Sequence, residues 1–241
     1  MPHRNEVSTA DARLDSVPAL TVLEREMYTE PQAARLLRVA PSTLHYWLEG
    51  GTRRNKTYKP VIRAEATGSN RVTWAEFIEA GLLRQYRQDL QVPMIELRNF
   101  IERLRDRLGV PYPLADQRPY VAERKLVVEA QEASHLGADF ALVAPVSGQY
   151  MLLPAAQAFY DRVTWADAIA QQWRPDDRSD SPVTIDPDMR FGSPSVGGIS
   201  TAILFEQSES GEDEEDLADT YGLTLAQVRW ALSYELVNSA A

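Results

Sequence analysis

The stretch Tyr28–Leu48, YTEPQAARLLRVAPSTLHYWL, contains the pattern that decides the fold of the N-terminal part of the chain. Apolar side chains recur in it at helical spacing on both sides of a short break at residues 38–40. Thr29 is a favourable N-cap residue, Pro31 suits a first helical turn, and Pro41 suits the start of a second helix. The pattern therefore predicts two short helices joined by a tight turn.

The second of these helices divides its side chains between an apolar and a polar face. Leu44, Trp47 and Leu48 recur at i, i+3 and i+4, so we expect them to face inward. The outward positions are Ser42, Thr43, His45 and Tyr46. Two helices with such an outer face have the form of a DNA-binding helix-turn-helix, although an ordinary αα-hairpin has the same core pattern.

Composition restricts the class of protein. With 241 residues and 44% hydrophobic residues, a globular chain of one large or two to three small domains is expected. The sequence has neither an apolar run of about 18 residues nor an apolar signal-peptide core near its start, so we expect a cytoplasmic protein without a membrane segment. The absence of cysteine excludes disulfides, zinc fingers and thiol chemistry.

The net charge of −10 is distributed unevenly along the chain. Residues 31–87 carry ten Lys or Arg and four acidic residues, a balance of +6. Residues 111–241 carry eight basic and twenty-one acidic residues, a balance of −13. This asymmetry indicates that the basic part contacts phosphates and that the acidic part meets a different partner.

A basic segment follows the two helices. We expect a β-hairpin, or wing, whose first strand lies within residues 52–64 and whose second strand is Arg71–Thr73. A helix that Thr73 caps should begin at Trp74. Basic side chains in a wing neutralise DNA phosphates beside the groove. The candidates for this role are Arg53, Arg54, Lys56, Lys59, Arg63 and Arg71.

Residues 28–86 resemble the winged helix-turn-helix of MerR-type regulators. The second helix of that family has a signature like S-x-x-T-L-R-Y-W/Y, and the corresponding residues here are Pro41–Trp47, PSTLHYW, with His45 where the family has arginine. The resemblance implies promoter binding as a homodimer. Such regulators dimerise through a long later helix, but residues 93–108 predict a short one, which either makes a dimer contact or packs within its own subunit.

The centre of the chain changes its periodicity. Residues 125–129 predict a strand, and residues 139–143 and 149–153 predict a hairpin, so we expect a small antiparallel sheet of three strands. Residues 154–173 predict a helix that breaks near Thr164. We find no phosphate-binding loop, nucleophile elbow or metal-ligand spacing, so neither an enzyme nor a metal or cofactor site is expected.

The C-terminal part predicts three helices. The first begins at Ser200 or Thr201, the second covers the acidic residues 212–221, and the third follows an N-cap at Thr224. Its acidic surface repels phosphates and suits a basic protein partner. The candidate partner-binding residues are Glu212, Glu214, Glu215, Asp219, Tyr221 and Tyr234. With a charged linker at residues 174–182, we expect a mostly helical α+β chain with domains at 22–110, 111–180 and 183–241.

This C-terminal part resembles the antitoxin domain that is paired with PIN-like ribonuclease toxins in VapBC-type modules. The family pattern runs like G-x-P-x-x-x-G-T-R-I, then an acidic helix with I-L-x-D-Y, then L-T-x-x-x-V-x-x-A-L-x-Y. In this chain the T-R-I after the second glycine is weakened to Gly198-Ile199-Ser200-Thr201. The matching residues are Gly192, Pro194, Gly198 and Ile199, then Leu217, Ala218, Asp219 and Tyr221, then Leu223, Thr224, Val228, Ala231, Leu232 and Tyr234. The resemblance implies an antitoxin that binds a PIN-like toxin and its own promoter. A ligand-responsive regulator with the central sheet as sensor is the alternative.

Overall fold

Helices predominate in the structure, a computed structural model, and its strands form two-stranded antiparallel sheets. This confirms the predicted mostly helical α+β class. Over the described residues, no helix combines the length and the apolar character needed to cross a bilayer. The described residues are 22–53, 55–89, 91–116, 124–137, 141–146, 149–152 and 154–239.

The N-terminal part, residues 22–110, is called the head below. In chain order it contains β1 (Glu26–Thr29), α1 (Glu30–Leu36), α2 (Pro41–Glu49), β2 (Gly51–Arg53), β3 (Lys56–Tyr58), β4 (Arg71–Thr73), α3 (Trp74–Arg84) and α4 (Met94–Leu108). Thr29 caps α1 through a reciprocal pair of hydrogen bonds with Gln32, and Thr73 caps α3 in the same way with Glu76. Both predicted helix starts are therefore confirmed.

The strands of the head pair differently from the prediction. β2 pairs with β3 across a tight turn in which Asn55 has a φ of 59°, and β4 pairs with β1 instead of closing the wing. The residues between β3 and β4 explain the difference. Val61 and Ile62 are buried, and their N–H groups both donate to the carbonyl of Trp47 in α2. The chain is thus drawn inward after β3, and β4 reaches the far side of the head.

Helix α3 joins the head to the central region. All of its residues from Trp74 to Leu83 are buried. The indole N–H of Trp74 donates to the carbonyl of Ala170 at 2.7 Å, and the Phe77 ring lies 5.3 Å from the Trp173 ring. One hydrophobic core consequently extends from Leu23 to Ile185.

One carboxyl group lies inside this core. The Glu79 side chain of α3 is fully buried, and its Oε1 accepts the N–H of Leu114 at 2.9 Å. Burial raises the pKa of Glu79 to about 8, against the opposing charge of Arg105 and this hydrogen bond. Glu79 therefore fixes the segment that follows α4 to the centre of the head.

The central region departs from the prediction at two places. It contains α5 (Arg124–Ala133), β5 (Val143–Val146), β6 (Gln149–Leu152), α6 (Pro154–Tyr160), β7 (Val163–Ala166) and β8 (Ile169–Trp173). The predicted hairpin is present in β5 and β6, but its described first strand begins at Val143, the residue where it was expected to end. Its expected Ser147-Gly148 turn lies outside the described residues. The strand predicted at 125–129 and the helix predicted after Thr164 are both wrong, as is the three-stranded sheet.

Both errors have a physical cause. In α5 the buried face includes Gln131, whose amide forms hydrogen bonds with the backbone of Leu142 and Val143. Because this buried residue is polar, it interrupts the helical spacing of apolar residues in the sequence. After α6, Asp167 and Ala168 both take positive φ values and turn the chain back into a hairpin.

The C-terminal module, residues 183–241, follows the prediction closely. It contains a short 3-10 turn (Arg190–Gly192), β9 (Ser195–Val196), β10 (Ile199–Ser200), α7 (Thr201–Glu209), α8 (Glu214–Tyr221) and α9 (Leu225–Ser239). Gly222 ends α8 with a left-handed φ of 65°, and the Thr224 hydroxyl accepts the N–H of Gln227 at the start of α9. All three predicted helices are confirmed.

Direct contacts hold the C-terminal module against the head. The buried Tyr28 hydroxyl donates to the carbonyl of Gly192 at 2.7 Å, and Arg25 pairs with Asp188 at 2.5 Å. The Ile185 backbone exchanges two hydrogen bonds with Trp173 at the end of β8. Gly192 has a φ of +72°, and a Cβ there would lie 2.5 Å from the Tyr28 hydroxyl.

This close approach makes Gly192→Ala a test of the contact. We expect it to lower the free energy of unfolding by about 2–4 kcal/mol, because backbone strain and a steric clash add together. Gly222→Ala is the matched control, since its φ is +65° and no atom lies within 4 Å of its Cβ position. The control should lower the same quantity by about 1 kcal/mol. Equal reductions for the two variants in urea unfolding would contradict the contact between head and module.

Candidate nucleic-acid interface and partner surface

The outer face of α2 is the first part of the candidate interface. Ser42 and His45 are exposed, whereas Thr43 and Tyr46 are half-buried. The Nδ1 of His45 lies 2.9 Å from Oε2 of Glu30, the first residue of α1. His45 occupies the position where MerR-type proteins have arginine, and its side chain is therefore in contact with a carboxylate of the same head.

An arginine from α4 connects α2 with the wing. Arg98 donates an N–H to the Tyr46 hydroxyl at 3.3 Å, and its guanidinium lies 5.7 Å from the Tyr46 ring and 5.5 Å from the Tyr58 ring. The two tyrosine rings meet edge-on at 6.3 Å. Sequence reasoning missed Arg98 and Tyr58, because Arg98 is 52 residues from Tyr46 and no local pattern links them.

The wing presents several of the predicted basic residues to solvent. Lys56 and Lys59 are exposed, and the Lys56 ammonium lies 5.3 Å from the Tyr58 ring. Arg54 and the side chain of Arg53 lie outside the described residues. Two of the predicted phosphate-binding side chains are therefore available on the surface of the wing.

Arg63 has a different role from the predicted one. It is buried, with an exposed fraction of 7%, and its Nε donates to Oε1 of Glu76 at 2.7 Å. It also donates to a Glu49 carboxylate oxygen and, at 2.6 Å, to the backbone carbonyl of Arg71. Its guanidinium is thus occupied within the head, and the expected phosphate contact is replaced by a structural one. Arg71 keeps its side chain half-exposed, 3.7 Å from Glu26.

The carboxylate of Glu49 fixes the loop after the wing. Its Oε2 accepts the N–H groups of Thr67 and Gly68, both at 2.9 Å. Although burial alone would raise it, these hydrogen bonds and the charge of Arg63 lower the pKa of Glu49 below its ordinary value. Glu49 is the last residue of α2, so the end of this helix and the loop are positioned together.

The acidic candidates for partner binding lie on and beside α8. Glu212, Glu215 and Asp219 are exposed, and the half-exposed Glu214 pairs with Arg229 of α9 at 2.7 Å. This group of residues, together with the half-buried Tyr221, is called the acidic surface below. Its exposure leaves most of its negative charge available to a partner.

Tyr234 lies inside the C-terminal module and not on the acidic surface. Its exposed fraction is 6%, and it belongs to the module core with Leu204 and Ala231. Burial raises its pKa to about 12. The prediction that Tyr234 binds a partner is replaced by a packing role, because helix α9 turns this position toward α7.

Five large apolar side chains of this module are exposed instead, among them Phe191 at 93% and Met189 at 43%. Ile203 is 41% exposed, and Leu236 and Val237 are 57% and 49% exposed. The sequence offered no signal for this, because α7 and α9 are apolar on more than one side.

Comparisons with known proteins identify the relatives of the chain. Residues 183–234 match a family described as a protein of unknown function, DUF433. The chain is 31% identical over 229 residues to the uncharacterized protein Rv2308 of Mycobacterium tuberculosis, a match that covers 89% of this chain and 92% of that protein. It is 29% identical over 222 residues to a protein of the same organism named "Putative antitoxin VapB45", with coverage of 86% and 92%. The X-ray structure of Rv2018 from that organism superposes with a TM-score of 0.69 at 28% identity, over 87% of this chain and 99% of that chain.

The buried position of Arg63 leads to a prediction on stability. Arg63→Met removes the cation that pairs with the Glu49 and Glu76 carboxylates inside the head, so we expect the free energy of unfolding to fall by about 3–5 kcal/mol. Arg71→Met removes only a half-exposed ion pair and should cost less than about 1 kcal/mol. Urea denaturation of both variants measures the difference. A small effect of Arg63→Met would show that the network is not important for the stability of the head.

Proposed function

This chain belongs to the family of the mycobacterial protein Rv2308, and on that premise we propose that it is an antitoxin of a toxin–antitoxin system. The observation that supports this most is the similarity, over 86% of the chain, to the protein named "Putative antitoxin VapB45". In this proposal the head binds promoter DNA as a homodimer, and the C-terminal module binds a PIN-like ribonuclease toxin. The protein acts by binding alone.

The geometry of the head supports DNA binding in three ways. Helix α2 presents exposed Ser42 and His45 next to Tyr46, and short polar and aromatic side chains of this kind contact base edges and phosphates. Lys56 and Lys59 extend from the wing beside that face. The loop after the wing is fixed by Glu49 and Arg63, so the interface is preorganised and loses little entropy on binding.

The lysines of the wing provide the test of DNA binding. Lys56→Ala with Lys59→Ala should make the plot of log affinity against log salt shallower by about 0.9 for each DNA phosphate that the variant no longer neutralises. The measurement is fluorescence anisotropy with a duplex from the upstream region of the gene, at several salt concentrations. Arg107→Ala is the control, because Arg107 is paired with Glu129 on α5. An unchanged slope in the double variant would contradict binding of the wing to the DNA backbone.

The acidic surface supports a protein partner and not DNA. Exposed carboxylates at Glu212, Glu215 and Asp219 repel phosphates. A ribonuclease binds RNA phosphates and must present basic residues, which these carboxylates complement. Covering such a basic surface blocks access of RNA to the nuclease. The exposed apolar residues Leu236 and Val237 of the same module add surface that a partner can bury.

Charge reversal tests the toxin part of the proposal. The chain is co-expressed with the product of the adjacent reading frame, and the purified pair is measured by surface plasmon resonance at low salt. Glu212→Lys with Glu215→Lys should slow association about tenfold or more, because the acidic surface no longer steers the partner. Glu102→Lys with Glu132→Lys changes the net charge equally at exposed sites elsewhere. Failure of the unaltered chain to form a complex with that product would contradict the antitoxin proposal.

A further inference from the structure

A large cleft lies where the head, the central region and the linker to the C-terminal module meet. Its volume is about 660 Å³. Four arginines from four separate segments line it: Arg38 in the turn after α1, Arg84 at the end of α3, Arg162 after α6, and Arg174 after β8. Neither DNA binding by α2 and the wing nor partner binding by the acidic surface uses this cleft.

The arginines are held in place by the fold. The Arg162 guanidinium lies 5.6 Å from the Trp173 ring and 5.9 Å from the Phe159 ring. Arg174 donates to the backbone carbonyl of Asp161 at 3.4 Å, and Nε of Arg38 donates to the side chain of Asn238 at 3.0 Å. The cationic groups are thus directed by packing into a concave site.

Two of these guanidinium groups have unused donors. The Nε atoms of Arg84 and Arg174 are shielded from solvent and have no hydrogen-bond partner within the described part of the chain. A buried donor without an acceptor costs free energy, and the repulsion between neighbouring positive charges adds to that cost. An anion bound in the cleft offsets the repulsion between these positive charges.

Acidic residues of the cleft compensate only part of this charge. Asp161, Asp176 and Asp177 also line it. Asp176 is already paired with Arg178, which holds its pKa below the ordinary value, so Asp161 and Asp177 remain to balance the four arginines. The four arginines therefore leave the cleft with an excess of positive charge.

We propose that this cleft binds a small ligand that carries one or more phosphate groups. The planar fork of a guanidinium matches the oxygens of a phosphate in charge and geometry. The site is concave and recessed between three parts of the chain, which suits a small molecule. The inference goes beyond the proposed antitoxin function and does not depend on it.

Isothermal titration calorimetry of the full chain with inorganic pyrophosphate tests the proposal. The unaltered chain should bind it, and Arg84→Gln with Arg174→Gln should raise the Kd about tenfold or more, because charge-assisted hydrogen bonds are removed. Arg107→Gln with Arg229→Gln removes the same charge at exposed sites outside the cleft and should leave the Kd within about twofold. If the double cleft variant does not fold, the exposed Arg38→Gln alone should raise the Kd severalfold.

Three results would overturn the proposal. The first is absence of pyrophosphate binding by the unaltered chain. The second is an equal Kd in the cleft and control variants, which would show general attraction to charge. The third is a cleft variant that binds pyrophosphate normally but shows a shallower salt dependence with the promoter duplex, which would assign these arginines to the DNA backbone.

Discussion

The head depends on the buried guanidinium of Arg63. It joins the carboxylate of Glu49 at the end of α2 to that of Glu76 in the first turn of α3, and it bonds the backbone of β4. Buried charges are costly unless each is paired and hydrogen-bonded, and here every partner is supplied by a different element. The orientation of α2 relative to α3 and β4 is therefore fixed by a polar contact inside the molecule, and the lysines of the wing remain available at the surface.

Exposed charges of opposite sign lie on separate parts of this fold. Lys56 and Lys59 are exposed on the wing, and the carboxylates of the acidic surface lie on and beside α8, whose first turn is acidic and is favoured by the helix dipole. A net charge of −10 conceals this arrangement. A chain that presents opposite charges on separate modules is suited to two partners of opposite charge, which is consistent with both halves of the proposed function.

Sequence alone predicted those features that depend on neighbours in the chain. The caps at Thr29 and Thr73, the end of α8 and the start of α9 follow from local side-chain chemistry, and all of them are present. Long-range features were not predictable in this way. The pairing of β1 with β4, the burial of Arg63 and the contact of Arg98 with Tyr46 depend on segments far apart in sequence. The site was consequently predicted as a set of surface cations, and its internal support was missed.

The junction between head and C-terminal module has a consequence for binding two ligands at once. The Tyr28–Gly192 and Trp173–Ile185 hydrogen bonds replace a free tether with a fixed joint. For modules on a flexible tether, linker length sets the effective concentration of one site near the other. With a fixed joint, the acidic surface keeps one defined position relative to α2 and the wing. If both proposed partners bind, shape decides whether they bind together, and lengthening the linker at residues 174–182 would not change it.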